Sequence, residues 1–185
     1  MIDNLIKFET GKITTILSLN SDNSNFITRA IVENYNKKQR FMVWQNDDIY
    51  FPCARLRVSP KTSFETMFLN YKLDYDVLII NAITDESNRF EIKRFMQNIK
   101  EVDCFKDKKV IIIFEKDKHY DFELSLSRFN IHKDSIKKYS DFIYKVETDI
   151  DWTYNGVLRI EDLCNKEKTN YQVYGDSLSF NLKRK

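Results

Sequence analysis

Five short runs of this chain hold apolar residues at successive positions: ITTILSL (13–19), RFMVWQ (40–45), DVLIINA (76–82), KKVIIIFE (108–115) and DFIYKVE (141–147). A strand with one face in water alternates apolar and polar residues. A strand that is apolar on successive residues has to be covered on both faces. Helical spacing fills the gaps between the runs. Ile27, Ala30, Ile31 and Tyr35 predict a helix over 26–38; Phe64, Met67, Phe68 and Tyr71 predict a second; Ile92, Phe95, Met96, Ile99 and Val102 predict a third. Residues 46–61 hold NDD and both prolines and read as a loop. Residues 116–139 read as a polar excursion with a short helix around Asp134–Lys138. Strands alternating with helices predict a mostly parallel sheet with helices on both faces.

After residue 150 the pattern changes. GVLRIEDL, NYQVY and SLSFNL alternate polar with apolar residues, and Gly175–Asp176 is a hairpin signal. The C-terminal strands are therefore expected to be antiparallel and to extend the same sheet. No linker or repeat interrupts the 185 residues, so one domain over 1–185 is expected. With 42% apolar and 31% charged residues the chain falls among folded proteins and not disordered ones. Two prolines and three glycines are too few for a sandwich of many tight turns. A net charge of +2 does not require nucleic acid as a partner.

The opening MIDNLIKFETGK has neither the basic nor the apolar segment of a signal peptide. No apolar run approaches the ~20 residues needed to cross a bilayer, so no membrane partner and a cytoplasmic location are expected. Cys53, Cys104 and Cys164 are widely spaced and odd in number, which predicts buried thiols and neither a disulfide framework nor a zinc site.

The junction LSLNSDNSNF (17–26) joins an apolar strand to a helix. In nucleotide-binding α/β domains that junction carries a glycine-rich phosphate loop. Here the chain has no glycine between Gly11 and Gly156, so a glycine-rich loop is excluded throughout the α/β part. Asn and Ser at this junction suit a strand-to-helix turn whose side chains cap the helix.

The order of elements resembles the RecA-like motor domain of the DnaB family of replicative helicases, over nearly the whole chain. FETGKITTILSL resembles the strand that feeds the phosphate loop, DVLIINAI the strand of the second metal-site motif, and KKVIIIFE the sensor strand. DSIKKYSDFIYKVE resembles the following polar helix and strand, and GVLRIEDLCNKEKTN…SLSFN the closing hairpin. The resemblance implies a P-loop NTPase fold that lacks the phosphate-loop residues. On the pattern G-x-x-x-x-G-K-[S/T], the first glycine falls on Ser18, the second on Asn23, the lysine on Ser24 and the hydroxyl residue on Asn25, with Asp22 adding negative charge. The family's catalytic Glu corresponds to Gln45, which accepts no proton at neutral pH. Its metal-associated Asp corresponds to Asn81. The sensor Gln region reads Phe114–Glu115–Lys116, and the Lys-x-Arg pair that reaches a neighbouring subunit leaves Lys166 and Lys168.

These replacements imply a pseudo-ATPase with no cofactor and no catalytic or metal site. It would be an accessory protein of DNA replication or recombination, from a phage or mobile element. The Lys/Asn/Ile/Tyr-rich composition fits an AT-rich genome. Partners expected on this reading are a helicase or replication component, or a second copy, through Lys166 and Lys168. Single-stranded DNA would meet Arg55 and Arg57, or the C-terminal LKRK, which otherwise reads as a frayed tail. The competing reading is an unconventional NTPase or metal-dependent hydrolase using Asp47, Asp48 and Asp85. His119 and His132 lack partners at metal spacing and read as solvated, and Tyr50–Phe51 offers an exposed anchor for a protein.

Overall fold

A computed structural model describes residues 5–18, 21–35, 38–45, 54–57, 74–84, 89–101, 103–115, 134–151, 155–175 and 180–185. Among the described residues nine strands form one sheet: β1 (Ile13–Ser18), β2 (Phe41–Gln45), β3 (Ala54–Arg57), β4 (Val77–Thr84), β5 (Lys109–Glu115), β6 (Phe142–Ile150), β7 (Gly156–Asp162), β8 (Glu167–Gly175) and β9 (Phe180–Arg184). Their order is β3-β2-β4-β5-β1-β6-β7-β8-β9. Strands β3 to β6 in that order run parallel, and β6 to β9 are antiparallel. Helices α1 (Ser21–Tyr35) and α2 (Arg89–Glu101) and a short helix α3 over 134–139 accompany them.

The two-sided apolar runs have the consequence their pattern demands. Val77, Ile79, Ile111, Ile113 and Ile16 join Ile27, Ala30 and Ile31 of α1 in one core. Their neighbours Leu78, Ile80, Val110, Ile112 and Ile13 join Ile92, Phe95, Met96 and Ile99 of α2, with Ile136 and Tyr139 of α3, in a second. Successive residues of a strand point to opposite faces, so the sheet divides the interior into two layers. The first core continues across Leu158, Ile160, Tyr171 and Val173 of the antiparallel strands, where Leu5 and Ile6 also lie.

Three expectations change. The segment 46–61 holds strand β3, which among the described residues pairs only with β2. An edge strand needs no apolar run, so ARLR carries no burial signal. The C-terminal LKRK is not frayed: β9 pairs in register with β8, and Leu182 packs against the first core. Cys164 is exposed on a turn and not buried. The helix expected around 64–71 and the side chains of Cys53 and Cys104 lie outside the described residues.

Charged side chains close the amino-terminal edge of the sheet. Asp141 accepts from the Ile13 N–H (2.8 Å), meets Lys12 at 3.3 Å and pairs with Lys100, joining β1, α2 and β6. Burial opposes the Asp141 charge, but the Lys100 bond, the Ile13 N–H and Lys12 together hold its pKa below the usual carboxylate range. Arg40 donates through its backbone N–H (2.8 Å) and guanidinium (2.9 and 3.2 Å) to Asp76, and also pairs with Asp74. The Arg40 guanidinium and N–H hold Asp76 at a pKa of about 2, below its ordinary 3.8. A depressed carboxylate pKa stabilises the fold above the unfolded value, and that stabilisation fades as pH falls from 3.8 through about 2. The Asp76 carboxyl carbon followed by NMR is expected to titrate near 2 and to return towards 3.8 in Arg40→Met. An unchanged midpoint in that variant would remove Arg40 as the cause.

Candidate functional site

The candidate site is the junction at the carboxyl end of β1. Strand β1 ends at Ser18 and α1 begins at Ser21, so only residues 19 and 20 separate them. The window Ser18–Asn25 is therefore mostly strand and helix. Asn23, Ser24 and Asn25 sit within the first turns of α1, beyond the position from which a side chain caps a helix. Asn20, which precedes the helix and occupies the capping position, lies outside the described residues. The helix starts five residues before the expected position 26, and its first turns are buried, with Asn23 3% and Ser24 0% exposed.

These three consecutive side chains each bond to a different strand. Asn23 Oδ1 accepts from the Thr148 hydroxyl on β6. Ser24 Oγ donates to the Glu115 carboxylate at the end of β5. Asn25 Oδ1 accepts from Asn81 Nδ2 on β4 at 3.0 Å. The Ser24 carbonyl also accepts from the Thr28 hydroxyl at 2.7 Å. Thr148 and Glu115 share a sheet face with the first core, as their even spacing from Val146 and Ile113 requires, and Asn81, at the register shift of β4 between Ile80 and Ile83, reaches the same helix through its bond to Asn25.

The electrostatic consequence is specific. A helix N-terminus attracts anions through its free N–H groups and dipole. At α1 the negative charge of Glu115 is already bonded to the first turns. A phosphate at the same place would meet a carboxylate, with neutral Ser24 where a phosphate loop has its lysine. Asn81 is 4% exposed, and its Oδ1 has no partner among the described residues.

The other singled-out residues are dispersed. Gln45 ends β2 and pairs in register with Asn81 and with Arg57, so its backbone adjoins the site, while its side chain lies outside the described residues. Arg55 and Arg57 lie on the edge strand β3, and their side chains are likewise outside the description. Asp47, Asp48, Asp85, His119, His132, Tyr50 and Phe51 are also outside the described residues.

Lys166 and Lys168 belong to the β7–β8 hairpin and are exposed. Asp162 Oδ1 accepts from the N–H groups of Cys164 (2.8 Å) and Asn165 (3.0 Å), which rigidifies the turn. Lys166 completes it in the left-handed region, at φ 59°. Lys168 faces Glu161 at 3.5 Å. Asp162 pairs with Tyr144, which pairs with Ile16, and the Leu163 N–H donates to the Ile143 carbonyl. The hairpin tip therefore points towards the amino ends of the parallel strands, away from Asn23–Asn25. Within one chain the two sets of residues are not brought together.

Sequence reasoning missed Thr148, because a threonine on a half-buried strand carries no signal of its partner. Glu115 had a signal, a charge closing the apolar run KKVIIIFE, but its bond to Ser24 depends on how α1 crosses the sheet. Among the described residues no group of His, Cys, Asp and Glu is placed to hold a metal. No helix among them is long and apolar enough to cross a membrane.

No family model matches the sequence, and no curated protein matches it. Among solved structures, the flagellar accessory protein FlaH from Methanocaldococcus jannaschii is similar with a TM-score of 0.56 at 12% identity, over 94% of this chain and 90% of that one. A parallel core with helices on both faces, an antiparallel C-terminal extension and this similarity together define a RecA-like fold.

Proposed function

We propose that this chain is a RecA-like domain that has given up nucleotide hydrolysis and acts through its surfaces. On this reading it is an accessory protein of DNA replication or recombination, derived from a DnaB-like helicase motor. The observation that carries the proposal is the use of Asn23, Ser24 and Asn25 in bonds to Thr148, Glu115 and Asn81, with the Glu115 carboxylate at the N-terminus of α1. A phosphate loop must leave its backbone amides and a cation open to the ligand. Here the corresponding turn is tied to three strands and faces a negative charge. The protein contact surface on this reading is the β7–β8 hairpin, with Lys166 and Lys168 exposed on a turn held by Asp162.

Ligand binding to the native state raises stability by RT ln(1 + [L]/Kd), about 2.7 kcal/mol at a hundredfold excess over Kd. Thermal unfolding is therefore a sensitive assay. The melting temperature is expected to move by less than about 1 °C in millimolar Mg-ATP or Mg-ADP, against the several degrees that a bound nucleotide gives a domain of this size. A larger shift, or ATP turnover that Ser24→Ala abolishes, overturns the proposal. Light scattering with and without a single-stranded oligonucleotide then separates self-assembly or DNA holding from docking on another protein.

A further inference from the structure

A cavity of about 340 Å³ opens between the N-terminal segment and the β6–β7–β8 part of the sheet. Leu5, Ile6 and Ile160 give it an apolar floor. The strand register sets Tyr144, Asp162 and Glu167 in one row across three strands, with Thr169 beside Ile160 in the next.

Two features of the lining are unsatisfied. Tyr144 is only 5% exposed. Its phenol oxygen accepts from the Lys7 N–H at 3.1 Å, while its own O–H meets no acceptor among the described residues. Burial pushes the phenol pKa up, so the proton stays in place as a donor. A buried donor without an acceptor is a cost that a ligand can remove. The second feature is charge. Asp162 stands directly opposite Glu167 in the β7–β8 ladder, and like charges so placed repel. The bonds of Asp162 come from neutral donors, the N–H groups of Cys164 and Asn165 and the Asn165 amide. Glu167 has no cationic partner among the described residues, and the ammonium of Lys7 is drawn to Glu9 (3.0 Å) and the Phe142 ring (4.7 Å).

We propose that this cavity binds an organic cation, an amine or a guanidinium, that also carries a hydrogen-bond acceptor. The cation sits between Asp162 and Glu167, the acceptor takes the Tyr144 O–H, and the apolar body covers Leu5, Ile6 and Ile160. A free small amine offers this chemistry, and so does a Lys or Arg side chain with its peptide carbonyl on a protein partner.

The test is an amide NMR titration of the full chain with N-acetyl-arginine amide, its uncharged analogue N-acetyl-citrulline amide, and butylammonium. Capped arginine is expected to give saturable shifts at Leu5, Ile160 and Thr169, and capped citrulline none. Butylammonium lacks the acceptor and is expected to bind about tenfold more weakly than capped arginine, whereas binding as tight as capped arginine would overturn the role given to the Tyr144 O–H. Glu167→Gln is expected to weaken capped arginine about tenfold while leaving the melting temperature equal or higher, since it relieves the repulsion across the hairpin. Absence of saturable shifts at about 10 mM ligand, equal binding of citrulline, or binding untouched by Glu167→Gln each overturns the proposal.

Discussion

Gly156→Ala is expected to destabilise the protein by about 3 kcal/mol or more, the upper range for overpacked positions. Gly156 opens β7 opposite Ile150 at the end of β6. An added Cβ would overlap the Asp149 carbonyl oxygen and lie 2.7 Å from Ile150 Cα and 2.9 Å from the Asp149 carbonyl carbon. All three are backbone atoms inside a ladder, so no side chain can swing aside. The strand partners have to separate, and the Gln172 amide, which donates to the Gly156 carbonyl at 2.8 Å, loses its geometry. Gly11 provides the contrast. Its φ of +71° is left-handed, and among the described residues its Cβ would meet only the Lys106 carbonyl oxygen, at 3.2 Å. Gly11→Ala is expected to cost about 1 kcal/mol, the left-handed penalty of an L-residue. Urea midpoints of the two variants measure the difference. A Gly156→Ala midpoint within error of the parent would show that the β6–β7 pair is not closed as described.

Phe114→Ala is the second large effect, about 3–5 kcal/mol for deletion of a buried aromatic ring. Phe114 is 1% exposed, belongs to the second core and pairs with Leu17 on β1 and Ile83 on β4. Its ring lies on the face opposite the Glu115–Ser24 bond, one residue away. Truncation therefore leaves a cavity under the strand end that presents Glu115. In a domain of this size each kcal/mol lowers the melting temperature by roughly 2–4 °C, so a loss of about 10 °C is expected. Phe114→Leu, which keeps most of the volume, is expected to lose less than half as much. A loss under about 1 kcal/mol for the alanine variant would mean that this end of β5 is not close-packed.

The two-sided apolar runs and the helical spacings were legible in the sequence because burial on both faces leaves no polar residue for several positions in a row. They located β1, β2, β4, β5, β6 and α2, and the alternation after residue 150 located the antiparallel extension. The two edge strands were less legible for the same reason in reverse. Among the described residues β3 pairs on one side only, and β9 closes the sheet with Lys183 and Arg184 exposed, so neither needs a run of apolar residues. Cys164 misled because a thiol's usual burial says nothing about a turn set by Asp162.

The sequence by itself determined that this chain buries both faces of a parallel sheet and holds no glycine-rich phosphate loop. The first follows from hydrophobic burial residue by residue, and the second from the absence of glycine between Gly11 and Gly156. Only the tertiary structure decided that Asn23, Ser24 and Asn25 bond to β6, β5 and β4, and that Tyr144, Asp162 and Glu167 line one cavity. Those groups are far apart in the chain. Their meeting depends on strand register and on how α1 crosses the sheet, and both are set by packing of the whole core and not by any local spacing.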